Sequence, residues 1–452
     1  MSIRHVLYIV VDTLRADHLS CYGYHRKITP SIDRLAKQGI LFSNVYPSDV
    51  PTQPSYTAMF TGKRGISTGV VSHSQSESLL DKEIWYPQIL TEKGYETAAV
   101  STLYYMKKYF ARGFKSYLNP TAGSPRLIQR VTADQINKMA IPWLRQNCNK
   151  NFFLFLHYWD PHTPYIPPQQ YRNLYYQGDK SDPGNYSLDG IKDKIIYPFV
   201  KRLLDTMAPN ITDIEYVIAQ YDSEITYIDE KLGEIIEVVR QLGILDDTLI
   251  IVTADHGESL GEHGIYFDHA GVYEPTVHVP LIFRHSSLPP GEKIKALIQL
   301  IDLAPTIFEF LNLEVPKKFE GKSLLPLMKG ETGKHYKTIY TNQGLWQASR
   351  MIRDEKFKLI KFIDRGFWPG PMTELFNLKE DPEEQVNLAE REKEIVDKLE
   401  LELIRWEAEK LGKRLDPLRL IANRGLPPTQ WIGKLIKQDR GTYEEWRKRM
   451  GW

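Results

Sequence analysis

The chain is short of cysteine, of net charge and of long apolar runs. Its 452 residues include two cysteines, Cys21 and Cys148, and their spacing fits no metal site. A pair of free thiols is favoured over a disulfide between them. The formal net charge of +1 gives no bulk field that would attract nucleic acid or an anionic membrane. We therefore expect no nucleic-acid partner.

No apolar run in the sequence is long enough to cross a bilayer. The run Val6–Val11 near the N-terminus is too short for the core of a signal peptide, and it ends in an acid. It is better interpreted as a buried parallel strand. These features predict a soluble, cytoplasmic protein without a membrane span.

Segments typical of buried strands alternate with segments typical of helices along most of the chain. The predicted strands are HVLYIVVD, YETAAVS, NFFLFLHYWD and DTLIIVTAD. The predicted helices are TPSIDRLAKQG, DQINKMAIPWLRQN, IAQYDSEITYIDEKLGEIIEVVRQLG and LIQLIDLAPTIFEFLNL. The alternation predicts an α/β fold with a mostly parallel central sheet and helices on both faces.

The length suits one large α/β domain with an appendage. We predict a large catalytic domain at residues 1–330 and a small C-terminal α+β subdomain at 331–390. The segments SRMIRDEKFKLIKFID and MTELFNL supply antiparallel strands to that subdomain. Residues 391–452 are predicted as a helical or irregular tail. Its Trp and Leu residues would be exposed on an isolated tail, so we expect it to pack on the core or on a neighbouring subunit of a homo-oligomer.

Acidic residues end three of the predicted strands: Asp12, Asp160 and Asp255. In parallel sheets, ligands bind beyond the carboxyl ends of the strands. Asp12 and the pair Asp255-His256 therefore offer carboxylate and imidazole ligands for a divalent metal at one sheet edge. The alternative is that each acid caps the helix that follows it. The combination of these residues favours the metal.

Several motifs in this sequence occur in the order and spacing of one known family. They are VDTLRADHLSCYGY, HYWDPHTPY, ADHGESLGEHGIYFDHAGVYEPTVHVPLIF, DLAPTIFEFLNL and ELFNLKEDPEEQVNLA. Together they resemble the sulfatase family, within the alkaline phosphatase superfamily, from about residue 4 to about residue 390. The resemblance implies a metal-dependent ester hydrolase with the α/β fold predicted above.

The resemblance places the nucleophile at Thr52. Sulfatases carry Cys or Ser there, in C-x-P-x-R or S-x-P-x-R, and convert it to formylglycine. Here Thr52, Pro54 and Tyr56 occupy the matching positions. Threonine cannot be converted, and a threonine ester can be resolved only by a second attack at the bound group, which phosphoryl and phosphonyl centres allow with metal help. Ser55 and Thr57 are fallback nucleophiles, and helix capping is the structural alternative for Thr52.

The implied metal ligands are Asp12, Thr52, Asp255 and His256, for one divalent ion. Thr13 stands where sulfatases usually have a second acid. An imidazole ligand favours Mn²⁺ or Zn²⁺, with Ca²⁺ or Mg²⁺ as alternatives.

The resemblance also marks residues for the substrate. His269 matches a lysine that binds the ester oxygens, and His162 aligns with a histidine that contacts the substrate; either would serve as the general acid. Tyr105 and Lys107 lie where another sulfatase motif is missing and are predicted to bind the substrate, with neighbours Tyr104 and Lys108 as alternatives.

Four further residues of the chain have structural explanations as well. His263 and Asp268 would serve a second metal or order their loop. Asp222 and Glu224 are interpreted as structural.

These expectations describe a hydrolase of phosphoryl or phosphonyl esters, favouring phosphodiesters or phosphonate monoesters, that forms a covalent intermediate on Thr52. The partner is a small-molecule ester. Three alternatives remain open: a sulfatase that works without formylglycine, a phosphoryl-group transferase, and a binding protein that has kept only the fold.

Overall fold

The structure is a computed structural model that describes residues 3–73, 83–121 and 131–428 of the 452-residue chain. The strands in chain order are β1 His5–Val11, β2 Ile40–Tyr46, β3 Asp49–Val50, β4 Glu96–Val100, β5 Ser116–Leu118, β6 Phe152–Tyr158, β7 Thr248–Thr253, β8 Ser259–Leu260, β9 Tyr266–Asp268, β10 Val279–Arg284, β11 Glu292–Gln299, β12 Ile339–Gly344, β13 Ala348–Arg353, β14 Phe357–Asp364 and β15 Thr373–Asn377. The α-helices are α1 Pro30–Gln38, α2 Thr52–Thr61, α3 Gly65–Thr68, α4 Tyr86–Glu92, α5 Ala133–Asn147, α6 Asp189–Lys192, α7 Tyr197–Met207, α8 Ile214–Gln241, α9 Glu274–Val277, α10 Leu303–Phe310, α11 Leu325–Met328, α12 Lys393–Leu411 and α13 Pro417–Arg424.

A large sheet with the strand order β11-β2-β10-β7-β1-β6-β4-β5 forms the centre of the fold. Strand β10 runs antiparallel to both neighbours, and the other adjacent pairs are parallel. Strand β1 is buried along its whole length, because a central parallel strand is covered on both faces. The predicted α/β class, with helices on both faces of a mostly parallel sheet, is confirmed.

One predicted helix is partly wrong. The segment 297–313 does not form a single helix, because its first residues complete the edge strand β11. A short 3₁₀ turn at Leu300–Asp302 follows, and only then does α10 begin. The apolar residues of a buried strand end and of a helix look alike in sequence, so composition did not separate them.

The sheet places the ends of β1 and β7 side by side. Val10 pairs with Thr253 in parallel register, and Asp12 and Asp255 each lie two residues further along. Strand β6 flanks β1 on the other side and pairs His157 with Val10. The carboxyl edge of these three strands is therefore where the acidic residues converge.

A second, smaller sheet has the order β15-β14-β13-β12-β3. Strands β12 to β15 form an antiparallel meander, as predicted for the C-terminal segment. Strand β3 joins its edge in parallel, pairing Asp49 with Asn342. Since β3 ends two residues before α2 begins, the small sheet fixes the position of the first turn of α2.

The described part of the tail packs on the chain's own small sheet. Trp406 of α12 stacks on Tyr340 with ring centroids 4.4 Å apart, and Leu418 of α13 is buried beside Ala348. The final residues, 429–452, lie outside the described residues. The domain boundaries and the homo-oligomer stay predictions.

The cysteines and the helices can both be compared with the predictions from the sequence. Cys21 and Cys148 are both free thiols, which agrees with the favoured interpretation. Over residues 3–73, 83–121 and 131–428, the helices are all too short or too polar to cross a bilayer.

Candidate active site

Three predicted metal ligands converge at the carboxyl edge of β1 and β7. The ligating atoms of Asp12, Asp255 and His256 all lie within 4.8 Å of one another, and each residue is fully buried. Strand register brings the two carboxylates together, and His256 follows directly in the chain. These three residues therefore form a possible metal site, and their roles as ligands stay predictions.

The charges of this cluster favour a cation. Asp12 Oδ1 and Asp255 Oδ2 are buried and accept no hydrogen bond from any described residue. Burial, and then the charge of Asp255, raise the pKa of Asp12 well above its usual value. Burial raises the pKa of Asp255 to about 7. Two carboxylates held this close need a counter-charge, and their unpartnered oxygens have the chemistry of divalent-metal ligands.

Thr52 is the first residue of α2 and faces the cluster. Its Oγ1 lies 3.0 Å from His256 Nε2. His256 Nδ1 lies 2.9 Å from the carbonyl oxygen of Gly257, so Nδ1 carries the hydrogen and donates it there. The lone pair of Nε2 therefore faces the Thr52 hydroxyl. The side chain of Thr52 contacts His256 instead of capping the helix, whose N-cap is Pro51.

The hydroxyl groups of the two alternative nucleophiles, Ser55 and Thr57, donate hydrogen bonds to backbone carbonyls. The Ser55 hydroxyl donates to the carbonyl of Asp255 at 2.8 Å, and the Thr57 hydroxyl donates to the carbonyl of Gln53 at 2.7 Å. Tyr56, at the position of the family's arginine, is fully buried. Its ring packs edge-on against His157 at 5.1 Å.

The two predicted acid histidines lie next to the cluster. The rings of His269 and His256 are 4.4 Å apart, and those of His269 and His162 are 5.5 Å apart. His162 stacks on Trp159 at 4.6 Å and donates from Nδ1 to the carbonyl of Thr163 at 2.8 Å. Burial lowers the pKa of both His269 and His162. Both are therefore neutral in the free protein.

The predicted substrate residues Tyr105 and Lys107 lie in the segment between β4 and β5. A neighbouring side chain of that segment, Tyr109, contacts α2. Tyr105 is 54% exposed, and its hydroxyl donates to the carbonyl of Thr121 at 3.0 Å. Tyr109 is the residue that contacts α2, since its hydroxyl lies 2.8 Å from Thr57 Oγ1. The substrate roles of Tyr105 and Lys107 stay predictions.

The remaining acidic and histidine candidates have structural contacts. These contacts order loops and helix ends. His263 stacks on Tyr273 at 3.8 Å, and Asp268 accepts a hydrogen bond from the backbone N–H of His269 at 2.7 Å.

The other acidic candidates also have hydrogen-bond partners. Asp222 accepts hydrogen bonds from side chains that precede α1 in the chain, among them Tyr24. Glu224 accepts from the backbone N–H of Ile166, and Asp160 from that of Ala133.

Sequence reasoning missed three residues at the site. Glu258 Oε2 lies 3.5 Å from His269 Nδ1. His157 Nε2 lies 3.2 Å from Asp12 Oδ2, and His73 Nε2 accepts the backbone N–H of Gln53, next to Thr52. Two of them had a signal, since His157 begins one quoted motif and Glu258 lies inside another. His73 lies outside every quoted motif.

Comparison with known proteins shows which family the chain belongs to. Residues 4–313 match the family model described as Sulfatase. The chain belongs to the sulfatase family. Residues 261–409 also match the model described as N-sulphoglucosamine sulphohydrolase, C-terminal, a segment that spans β9 to α12.

The relatives of this sulfatase-family chain carry more than one activity in their names. An N-acetylglucosamine-6-O-sulfatase of Bacteroides thetaiotaomicron is 24% identical, with 91% of this chain and 87% of the relative covered. A multifunctional alkaline phosphatase superfamily protein of Trinickia caryophylli is 26% identical, with 86% and 92% covered. The solved phosphonate monoester hydrolase from Silicibacter pomeroyi superposes with a TM-score of 0.71 at 22% identity, covering 92% of this chain and 96% of that one.

Proposed function

We propose that this sulfatase-family protein is a metal-dependent hydrolase of phosphoryl or phosphonyl esters that works through a covalent intermediate on Thr52. One observation carries the proposal: the Thr52 hydroxyl lies 3.0 Å from His256 Nε2, beside two buried carboxylates. A hydroxyl in that place supports attack on a bound ester. Threonine cannot become formylglycine, so a sulfatase mechanism that depends on it is not available to this chain.

The metal would be held by Asp12, Asp255 and His256, with the hydroxyl of Thr52 as a further ligand. The unpartnered oxygens Asp12 Oδ1 and Asp255 Oδ2 fit this role, and the imidazole favours Mn²⁺ or Zn²⁺ over Ca²⁺ or Mg²⁺. When bound, the ion supplies a positive charge that activates the hydroxyl and stabilises the charge of the reacting group.

The residues of the chain then have separate roles. Thr52 Oγ1 releases its proton to solvent and forms a bond to phosphorus, while the bond from phosphorus to the leaving alcohol breaks. His269 or His162, which takes up a proton when the anionic ester binds, donates that proton to the leaving oxygen. Water next attacks the phosphorus and gives one proton back to the histidine, the bond to Thr52 breaks, and the Thr52 oxygen takes a proton from solvent.

The surroundings of the cluster favour a substrate with one negative charge. Binding a dianionic monoester usually uses an arginine in a bidentate contact. The family's arginine position holds the buried Tyr56, and the guanidinium of the nearby Arg15 is bound to Asp17 and Glu262. Imidazoles supply the polar surface instead. This supports a phosphodiester or a phosphonate monoester over a phosphomonoester.

The deciding experiment is hydrolysis of matched nitrophenyl esters with added Mn²⁺: a phosphodiester, a phosphonate monoester, a phosphomonoester and a sulfate. We expect the first two to react fastest and Thr52→Ala to lower kcat by at least about 10³-fold. Thr61→Ala is the matched control, because it removes a hydroxyl at the far end of the same helix, where the group donates to the carbonyl of Thr57. Phosphorus-ester turnover that survives the loss of Thr52 would contradict the proposal.

A sulfatase without formylglycine is the second candidate. It is favoured by the similarity to the N-acetylglucosamine-6-O-sulfatase and by the match to the sulphohydrolase C-terminal model. The same panel distinguishes the two functions. Turnover confined to the sulfate ester would identify this alternative.

A further inference from the structure

His157 lies directly behind the carboxylate of Asp12, in a place where none of the roles considered so far uses it. It belongs to β6, and both it and Asp12 are fully inaccessible to solvent. Its Nε2 is 3.2 Å from Asp12 Oδ2, and its Nδ1 is 3.1 Å from Ser101 Oγ. The imidazole thus joins the end of β4 to the end of β1 at the edge of the sheet.

The direction of these hydrogen bonds follows from chemistry. A carboxylate that binds a metal ion is ionised and only accepts hydrogen bonds, so with the metal bound His157 Nε2 carries the hydrogen and donates it to Asp12 Oδ2. Nδ1 is then the acceptor, and the Ser101 hydroxyl donates to it.

The packing around the ring leaves it little freedom. Tyr56 meets it edge-on at 5.1 Å, Phe155 stacks on it at 6.4 Å, and Trp159 contacts it at 5.9 Å. These rings hold the imidazole in one orientation. They also give the bulky tyrosine at position 56 a structural role, because it supports His157 from the side.

Asp12 has two oxygens in different situations. Oδ2 accepts from His157, whereas Oδ1 is buried and accepts nothing from the described part of the chain. The hydrogen bond therefore restrains rotation of the carboxylate and leaves Oδ1 as the oxygen available to bind a cation. Partners of this kind commonly tune metal affinity without touching the metal.

We propose that His157 is a positioning residue, which holds Asp12 so that Oδ1 alone is presented to the divalent metal. The inference rests on the metal centre of the proposed function. The hydrogen bonds from Ser101 to His157 and from His157 to Asp12 then help to set the affinity for the metal.

The test is the Kd of the metal-free full-length protein for Mn²⁺, measured by calorimetry. We expect His157→Leu to weaken binding about 10- to 100-fold. His157→Gln keeps a side-chain N–H that can reach Asp12, and its Kd should lie between those of His157→Leu and the wild type. The Tm of each metal-free variant is measured alongside, so that lost affinity is not confused with lost folding.

His5→Leu is the matched control. His5 is also fully buried in the same sheet, at the start of β1. The same substitution there should leave the Kd for Mn²⁺ within about twofold of the wild type, because the site is distant. The change in Tm of His5→Leu shows how far the loss of a buried imidazole alone lowers stability.

The outcomes separate the two claims. A His157→Leu protein that binds Mn²⁺ as tightly as the wild type overturns the positioning role and leaves the proposed function standing. A wild type that binds neither Mn²⁺ nor Zn²⁺ overturns the metal centre and this inference with it. If His157→Leu does not fold, a Kd for His157→Gln that is weaker than that of the wild type, but by less than the loss in Asp12→Asn, supports the role, and a Kd for His157→Gln equal to that of the wild type contradicts it. A loss in His157→Gln as large as that in Asp12→Asn contradicts it.

Discussion

At the scale of single residues, the contact between Glu258 and His269 links a buried carboxylate to the predicted general acid. Glu258 Oε2 faces His269 Nδ1 at 3.5 Å, while Oε1 accepts from the Tyr165 hydroxyl at 2.8 Å. A carboxylate on one ring nitrogen fixes the tautomer and the orientation of an imidazole. The other nitrogen of His269 is then free to face the substrate.

This contact makes a specific prediction for Glu258→Gln. The variant keeps the shape of the side chain but removes the charge that orients His269. We expect kcat on the best phosphorus ester to fall roughly 10- to 100-fold, with a smaller change in KM. Steady-state kinetics at saturating Mn²⁺ measure both.

Tyr165→Phe is the control for Glu258→Gln, because it removes only the hydrogen bond to the other oxygen of Glu258. Its kcat should stay within about threefold of the wild type. An unchanged kcat in Glu258→Gln would show that the carboxylate does not act through His269.

At the scale of elements, one acidic side chain of α8 binds the first turn of α1. Asp229 lies in the middle of α8 and accepts the backbone N–H groups of Ser31 and Ile32 in the first turn of α1. Those N–H groups have no partner within their own helix. The carboxylate also lies at the positive end of the α1 dipole, where a negative charge is favourable.

The burial of Asp229 predicts a pH dependence of stability that opposes the favourable effect of these hydrogen bonds. Burial raises the pKa of Asp229 to about 6 in the folded protein, against an ordinary value of 3.8. The folded state therefore binds the proton more tightly than the unfolded state, and this group's contribution to stability decreases as pH rises from about 4 to about 6. The loss is on the order of 1 to 3 kcal/mol.

Urea unfolding of the wild type and of Asp229→Asn at pH 4, 5, 6 and 7 measures this effect. The free energy of unfolding of the wild type should fall more over this range than that of the Asp229→Asn variant, whose amide cannot ionise. Parallel curves for the two proteins would mean that the carboxyl titrates normally in the folded state.

The elements also show what could be predicted from the sequence. Asp12 and Asp255 follow apolar strands, so the sequence predicts both the strands and the edge where the acids meet. Thr52 and His269 required the family motifs, because an isolated Thr or His has no local signature. The contact of His157 with Asp12 was missed for a physical reason: the two residues are 145 positions apart in the chain, and the pairing of β1 with β6 brings them together. Local patterns do not contain such a pairing.

At the scale of the whole molecule, one buried arginine connects β3, the strand that precedes Thr52, to the tail. Arg350 of β13 donates to Asn342 at 2.7 Å, and Asn342 donates to Asp49 of β3 at 2.7 Å. Strand β3 leads directly into α2 and Thr52. On its other side, Arg350 is bound by two acids of the tail, Asp416 and Glu407. The sequence predicted a tail that packs, but the charged partner inside the small sheet was not predictable.

This network predicts that the tail stabilises the fold mainly through Asp416. Asp416 accepts two hydrogen bonds from Arg350, at 2.9 and 2.7 Å, and its side chain also accepts the N–H of Leu418 at the start of α13. Asp416→Ala would leave a buried guanidinium with Glu407 as its remaining acid, and removing one partner of a buried ion pair is costly. We expect a loss of about 3 kcal/mol in the free energy of unfolding, measured by urea denaturation.

The exposed Glu409 of α12 provides the control, since its contact is with its neighbour Lys410 on the surface, and such pairs contribute about 0 to 1 kcal/mol. Glu409→Ala should therefore unfold almost as the wild type does. Because β3 shares the network, Asp416→Ala should also lower kcat at temperatures where the protein is still folded, through displacement of α2. Equal stability of the two variants would show that the tail is held by its apolar contacts, with Leu418 and Trp406 as the residues to substitute next.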